Sequence, residues 1–358
     1  MKVTIIGGGN IGTLLAAEFS AKGYETYIYS SKNNGKNRIE VYDNEDNYLF
    51  TSKDISITDN LELAVKDSKF IFVTYPPELF DELSSKLDNK LLKGTYLGII
   101  PGSGGAEFSF KNLIDQGVIL FGLQRVHSIA RIKNPGKSVY MLGRKESIFL
   151  SVFKNKEIDL IKEFLEKSLD MPCHKLDNYL TVTLNPSNQI LHTTRLCSMF
   201  KDYKENDTYP ENILFYETWD DDSSDLLIKC DEELQILCEE ISYNLEEVKS
   251  LKDHYESYTI TAMTEKISNI PAFKGLTSPM LQNDNGEWIP DFNSRYFSSD
   301  YSYGLKIIID ITELYNTPNE HLRYVWNWFE NLTHPKKFFT LKKYNITSKE
   351  EFEKYYDI

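Results

Sequence analysis

The sequence predicts an α/β protein in two parts, a doubly wound parallel sheet followed by a mostly α-helical second domain. Three observations predict it. Short apolar, β-branched runs alternate with amphipathic stretches over the first half of the chain, the pattern of strands linked by helical crossovers. A glycine cluster sits between the first such run and the first amphipathic stretch. After about residue 183 the alternation stops and the periodicity becomes helical. The 358 residues exceed what one core usually holds, so two domains are expected, 1–183 and 184–358.

Taken in order, Val3, Ile5 and Ile6 read as a buried strand ending in glycines. Ile11, Leu14, Leu15 and Phe19 follow at i, i+3, i+4 and i+8, one apolar stripe of a helix that Gly23 stops. Glu25–Ser30 alternates as a second strand. Phe70–Thr74, Tyr96–Ile100 and Val118–Phe121 are further strands, and Pro77–Leu87 is a helix with proline in its first turn. In the second half Leu226–Tyr243, Gly304–Tyr315 and Leu322–Leu332 carry helical repeats, and the acidic Asp220–Ser224 reads as a solvated helix start.

Composition narrows the function classes. Apolar residues are 41%, charged residues 26% and aromatic residues 13%, which suits an ordered globular chain. The net charge of −14 disfavours nucleic acid or an anionic membrane as partner, although a small anionic cofactor needs only a local positive site. Cys173, Cys197, Cys230 and Cys238 lack metal-ligand or CxxC spacing and read as reduced, packed thiols, with no metal expected. No apolar run approaches a membrane span, and the opening MKVTIIGGGN has no leader-like pattern. The expectation is a cytoplasmic protein; its oligomeric state is not legible, and a homodimer is compatible with the sequence.

Gly7-Gly8-Gly9-Asn10-Ile11-Gly12 fits GxGxxG. The pattern alone is weak, but here it follows a strand and opens a helix, the setting of a Rossmann dinucleotide site. Gly7 permits the tight turn, Gly9 lets backbone approach a pyrophosphate, and Gly12 lets helix and strand pack closely. The helix start at Asn10 and Ile11 adds N–H groups and a partial positive charge. At the end of the second strand an NAD site usually places an acid. The chain has Ser30, Ser31 and Lys32 instead. Hydroxyls and a cation suit a 2′-phosphate, so NADP(H) is favoured and NAD(H) stays open. Val73–Pro77 and Pro101–Gly105 end strands where such sheets bind ligands, and turn chemistry alone also explains them.

Of six histidines, His192 is distinguished by its setting. It closes the segment Asn185-Pro186-Ser187-Asn188-Gln189-Ile190-Leu191-His192 at the start of the second domain. Asn185 and Pro186 read as a helix start, which puts Gln189 and His192 on one face and, in an early helix, aimed towards the nicotinamide. A second block is Arg295-Tyr296-Phe297-Ser298-Ser299-Asp300-Tyr301-Ser302-Tyr303-Gly304-Leu305, and a third is Gln124–Arg131. In these blocks, and in scattered similarity over most of its length, the chain resembles the opine dehydrogenase family of octopine, nopaline and related enzymes. The resemblance implies a histidine–aspartate pair at His192 and Asp300, and an Arg295 that contacts cofactor phosphate. It also implies a reaction in which an α-keto acid, pyruvate by default, condenses with an amino group and the imine is reduced. Ser299 replaces a usual acid, Ser302 a usual proline and His127 a common proline, departures that touch substrate contacts rather than the pair.

The chemistry suits the residues. Carbonyl activation, loss of water and amine deprotonation need a proton carrier near neutral pH, a task for histidine, and a carboxylate on its other nitrogen fixes the tautomer. Gln124, Arg125, Arg131 and Gln189 are candidates to hold an anionic keto acid and its amine partner. Tyr301 and Tyr303 read as core in so tyrosine-rich a chain, with a place in the pocket wall as the alternative. Two other functions remain open at this point. A simple 2-keto acid or ketopantoate-type reductase would place a lysine on the early helix, which has none before Lys201. A dinucleotide-binding protein without chemistry would share the glycine turn.

Overall fold

The apolar run before the glycines folds as strand β1 (Lys2–Ile6), buried after its first residue. The chain continues through α1 (Asn10–Ala21) and β2 (Glu25–Tyr29) in a computed structural model that describes residues 1–32, 34–154 and 157–357. It divides into two units, Met1–Thr183 and Leu184–Ile358.

The remaining strands of the first unit are β3 (Gly35–Asn37), β4 (Glu40–Tyr42), β5 (Tyr48–Thr51), β6 (Ile55–Thr58), β7 (Phe70–Val73), β8 (Tyr96–Ile99), β9 (Ile119–Leu123), β10 (Ser128–Asn134), β11 (Ser138–Arg144), β12 (Ile148–Val152) and β13 (Cys173–Lys175). Nine of them form one sheet in the order β13-β12-β9-β8-β7-β1-β2-β6-β3. Its central six strands, β6-β2-β1-β7-β8-β9, are all parallel. Numbered by their own succession they run 3-2-1-4-5-6, the Rossmann order. Burial on both faces explains why β7 and β8 read as unbroken apolar runs. Antiparallel β3 covers one edge of this core and antiparallel β12 the other, with β13 beyond it. On one face α1 and the helix Ile158–Leu169 bring Phe19 and Phe164 onto the strand residues Phe70 and Phe72. The Phe70–Phe164 rings are stacked at 3.8 Å and the Phe19–Phe72 centroids lie 4.9 Å apart.

Sequence periodicity gave no sign of a second, four-stranded sheet in this unit, ordered β10-β11-β4-β5. Its strands are short or half exposed, with three to seven residues each, and lack the long apolar runs of the main sheet. It packs beside α1, where buried Glu18 accepts from His127 Nε2 at 2.6 Å and Arg144 Nη1 at 2.6 Å. Burial alone would raise the Glu18 carboxyl. The charge and hydrogen bond of His127, then those of Arg144, instead hold it below the ordinary carboxylate range.

The second unit is built mainly from helices: Ser187–Phe200, Asp221–Glu240, Ile260–Ser268, Lys306–Tyr315, Glu320–Thr333 and Lys349–Tyr356. The acidic run does start a helix, with Asp220 accepting from the Ser223 N–H at 2.8 Å. Leu227, Cys230, Leu234 and Leu237 face the core of this unit. Buried Glu233 on the same helix accepts from the N–H groups of His321 and Leu322 at 2.8 and 2.9 Å. It thereby caps Glu320–Thr333 from a neighbouring helix. Among the described residues no helix is long and apolar enough to cross a membrane.

Candidate active site

Two places carry the predicted residues, one in each unit. The first is the turn between β1 and α1. Gly7 has φ +120°, and a Cβ there would lie 2.5 Å from Thr74 Oγ1. A Cβ on Gly12 would lie 1.9 Å from the Gly7 carbonyl oxygen. Neither position tolerates a side chain, for reasons internal to the fold. Gly9 differs: a Cβ there would meet nothing within 4 Å. It is the N-cap of α1, no side chain caps it, and the first turn holds no acid. The helix therefore presents its N–H groups and positive end at an open position, which fits a dinucleotide pyrophosphate.

The other predicted residues of this unit fall in three groups. Asn10 opens α1, and its Oδ1 accepts from the Ile132 N–H of β10 at 2.8 Å. Ile11 is partly buried against the core. Ser30, Ser31 and Lys32 follow β2. Ser30 Oγ accepts from the Lys32 N–H at 3.2 Å, and Ser31 and Lys32 are exposed. Arg38, a further cation near this strand end, is paired with Asp54 at 2.7 Å. Gln124 and Arg125 follow β9 and are half buried, and Gln124 Nε2 donates to the Thr181 carbonyl at 3.4 Å. Lys145 lies near Arg125; burial and then that cation lower its pKa. Arg131 is exposed on β10, with Nη1 on the Ala130 carbonyl.

In the second unit the helix Ser187–Phe200 begins as its sequence implies, with Pro186 at the N-cap and Asn185 Oδ1 accepting from the Ser187 N–H at 3.3 Å. Gln189 and His192 are both buried on it. The block Arg295–Leu305 is no loop. Tyr296–Leu305 forms a ten-residue π-helix that runs directly into Lys306–Tyr315. Such widened turns are rare and recur at functional sites. It packs on the His192 helix, and Gly304 allows the approach: a Cβ there would lie 3.0 Å from Gln189 Cγ. Gln189 Nε2 donates to the Asn185 carbonyl at 2.6 Å. Tyr301 is fully buried, its hydroxyl donating to the Thr193 carbonyl at 2.6 Å. Exposed Arg295 stands at the π-helix N-cap.

The fold thus joins residues 108 positions apart: His192 Nδ1 lies 2.8 Å from Asp300 Oδ2. His192 Nε2 lies 3.1 Å from the Tyr216 hydroxyl. The imidazole packs against the rings of Tyr296 at 4.6 Å and Phe215 at 5.6 Å. Burial pushes the Tyr216 phenol well above 10, with Tyr296, Tyr255 and Asp300 adding to it. Tyr216 is therefore a phenol at neutral pH. With Asp300 accepting from Nδ1–H, the lone pair of a neutral ring sits on Nε2, facing the Tyr216 O–H.

Sequence reasoning missed Tyr216 and, beneath it, Arg195. Arg195 is 2% exposed. Its Nε donates to the Phe215 carbonyl at 2.9 Å, Nη2 to the Thr218 carbonyl at 2.7 Å, and Nη1 to Ser223 Oγ at 2.9 Å. Burial lowers it to about 10, with Asp220 opposing. The available signal was an arginine three residues after His192 on a helix whose neighbours are otherwise uncharged.

Residues 175–333 match the family described as NAD/NADP octopine/nopaline dehydrogenase, alpha-helical domain. Residues 2–113 match the N-terminal part of NAD-dependent glycerol-3-phosphate dehydrogenase. Tauropine dehydrogenase of Arabella iricolor is 25% identical over 92% of this chain and 91% of its own. Together these matches support the opine dehydrogenase family for this chain. An octopine dehydrogenase with NADH and L-arginine superposes at TM-score 0.80, with 20% identity over 92% of this chain and 89% of its own. A yersinopine dehydrogenase with NADP+ does so at 0.67, with 12% identity over 96% and 91%. The matches support an NAD(P)-dependent, opine dehydrogenase-like oxidoreductase.

Proposed function

We propose that this protein uses NADPH to join an α-keto acid, pyruvate by default, to the amino group of an amino acid or related amine. The observation that carries the reading is the 2.8 Å contact between His192 and Asp300, which makes a buried imidazole a fixed proton carrier. In this scheme His192 takes a proton from the donor ammonium, so that the free amine attacks the keto carbon. Asp300 holds the resulting imidazolium through Nδ1–H. In the adduct the nitrogen passes one proton to the alkoxide oxygen, and the ring returns its own to the resulting hydroxyl, which leaves as water as C=N forms. The cofactor supplies the hydride that reduces this imine. Gly7, Gly9, Asn10, Ile11 and Gly12 would hold its pyrophosphate, with Arg295 as a further phosphate contact.

The cofactor preference rests on the end of β2, where Ser30, Ser31 and Lys32 offer hydroxyls and an ammonium and no carboxylate. A 2′-phosphate is the better match for them. For the keto acid carboxylate, Arg125 with nearby Lys145 gives positive potential beyond the C-terminal end of β9, and Gln124, Arg131 and Gln189 complete the candidate substrate contacts.

The test is loss of NADPH or NADH absorbance with pyruvate or another keto acid, with and without a panel of amines. Oxidation that requires both substrates, faster with NADPH, is the expected result. Oxidation with the keto acid alone would move the chain to the simple reductases. Cofactor binding without oxidation on any pair would make it a non-catalytic binder.

A further inference from the structure

Both nitrogens of the His192 ring are engaged, Nδ1 by Asp300 and Nε2 by Tyr216. A proton passing between His192 and a substrate must therefore cross the Tyr216 hydroxyl or push it aside. The surroundings of Tyr216 decide between these. Its ring is stacked on Phe273 at 4.0 Å and parallel to Trp219 at 6.3 Å, with the edge of Phe215 at 4.8 Å. The Arg195 guanidinium grips the carbonyls of Phe215 and Thr218 on either side of it. Trp219 is itself tied down through Nε1 to Ser224 Oγ at 2.9 Å. The backbone that carries Tyr216 is thus held by a buried, charge-assisted network, and swinging the phenol away would break its stacking on Phe273 and its bond to His192. A hydroxyl so fixed is suited to pass a proton, since it can donate through O–H and accept on oxygen at once.

We propose that Tyr216 is a third catalytic residue, its hydroxyl relaying the proton between His192 Nε2 and the reacting amine and carbonyl. This rests on the reductive condensation proposed above. As the donor ammonium gives a proton to the phenol oxygen, the phenol O–H proton passes to Nε2, leaving a neutral amine and an imidazolium on Asp300. After the C–N bond forms, the attached nitrogen passes one proton to the alkoxide oxygen to make a hydroxyl; Nε2–H then returns its proton to the phenol oxygen while the phenol O–H proton goes to that departing hydroxyl. The C–O bond breaks, C=N forms, and water leaves. The transfers cancel, so both residues end as they began, and no phenolate accumulates. The charged and titratable groups facing the ring pair are Asp300, Tyr296 and Tyr255.

The test is Tyr216→Phe in the full chain, which keeps the stacked ring and removes only the hydroxyl. Turnover should fall about 100-fold, the low end for lost acid–base assistance. Cofactor affinity, read by NADPH fluorescence titration, and thermal stability should stay near native. The titration of His192, followed by imidazole NMR without substrate, should move, because its Nε2 partner is gone. Turnover within threefold of native, or faster, would overturn the relay and make Tyr216 a plug. An unmoved His192 titration would overturn the coupling whichever substrates work. A moved titration in a protein whose native form turns over no keto acid–amine pair would sink the proposed reaction, and the catalytic role with it, leaving only the contact. Trp219→Phe offers a second reading if Tyr216→Phe misfolds: it loosens the parallel neighbour, and a relay predicts slower turnover where a plug predicts faster.

Discussion

The glycine turn of the first unit and the His192 helix of the second are built on opposite principles. At the turn the working groups are backbone N–H atoms, and the sequence matters through what it leaves out. Gly7 and Gly12 have no room for a Cβ, and Gly9 has room but faces an open position. At the helix the working groups are polar side chains, with His192, Tyr216 and Arg195 buried and Asp300 half-buried, each held by hydrogen bonds. A backbone site is fixed by local geometry and is cheap to keep. A side-chain site in a dry interior is held only while every member is satisfied, because an orphaned buried polar group costs about 1–3 kcal/mol.

The largest effect should come from the side-chain site. His192→Ala is expected to lower turnover by about 10³-fold, within the span of lost acid–base catalysis, and to leave cofactor affinity at the glycine turn unchanged. Asp300→Asn should cost about 10²-fold, since the amide keeps the shape but cannot neutralise an imidazolium. Parallel kcat and cofactor-binding measurements check both. If either variant keeps near-native turnover, that residue has no place in the mechanism.

The backbone site predicts a contrast between two glycines of the same motif. Gly12→Ala drives a methyl into the Gly7 carbonyl, and should destabilise the first unit by about 2–3 kcal/mol, the usual cost of overpacking or more. Gly9→Ala meets nothing and has φ −82°, a value any residue adopts. It should melt like the native protein and bind NADPH about tenfold more weakly, because the methyl occupies the space above the helix N-terminus. A Gly9→Ala protein with native cofactor affinity would remove the pyrophosphate from that position.

The difference in construction also explains what the sequence disclosed. The glycine turn is legible because its constraints lie within six residues, and so is the parallel sheet, because five of its six central strands leave apolar or alternating runs; the short β6 was not read. The second sheet escaped notice because β4, β5, β10 and β11 lie in mixed, half-exposed sequence. His192 stood out by its setting, but its pairing with Asp300 was reached only through resemblance, since nothing local in 108 residues of separation says they meet. Tyr216 sits in the aromatic run Phe215–Trp219, where a core role and a chemical one look alike. Arg195 gave a signal, an arginine on a buried face, that only burial could interpret.

A site made of buried ionisable groups should carry a pH signature that a backbone site lacks, and the same unit holds a clear case in Asp231. Burial raises its carboxyl to about 7, against the opposing bonds from the Leu251 N–H and Gln235, the Lys252 charge opposing and Glu232 adding. The folded state thus binds a proton that the unfolded chain, with an ordinary carboxyl near 4, has already lost. Stability from this group is complete below about pH 4 and is lost as pH rises towards 7. Asp231→Asn removes that dependence. The amide oxygen can still accept from Leu251 N–H, now at 2.7 Å from Asp231 Oδ2, while its buried NH2 offsets part of the gain. The variant should be more stable by about 2 kcal/mol at pH 8, and by clearly less at pH 5, in denaturant unfolding. An equal effect at both pH values would mean that Asp231 is ionised in the folded protein throughout, and that this helical interior is wetter than its packing implies.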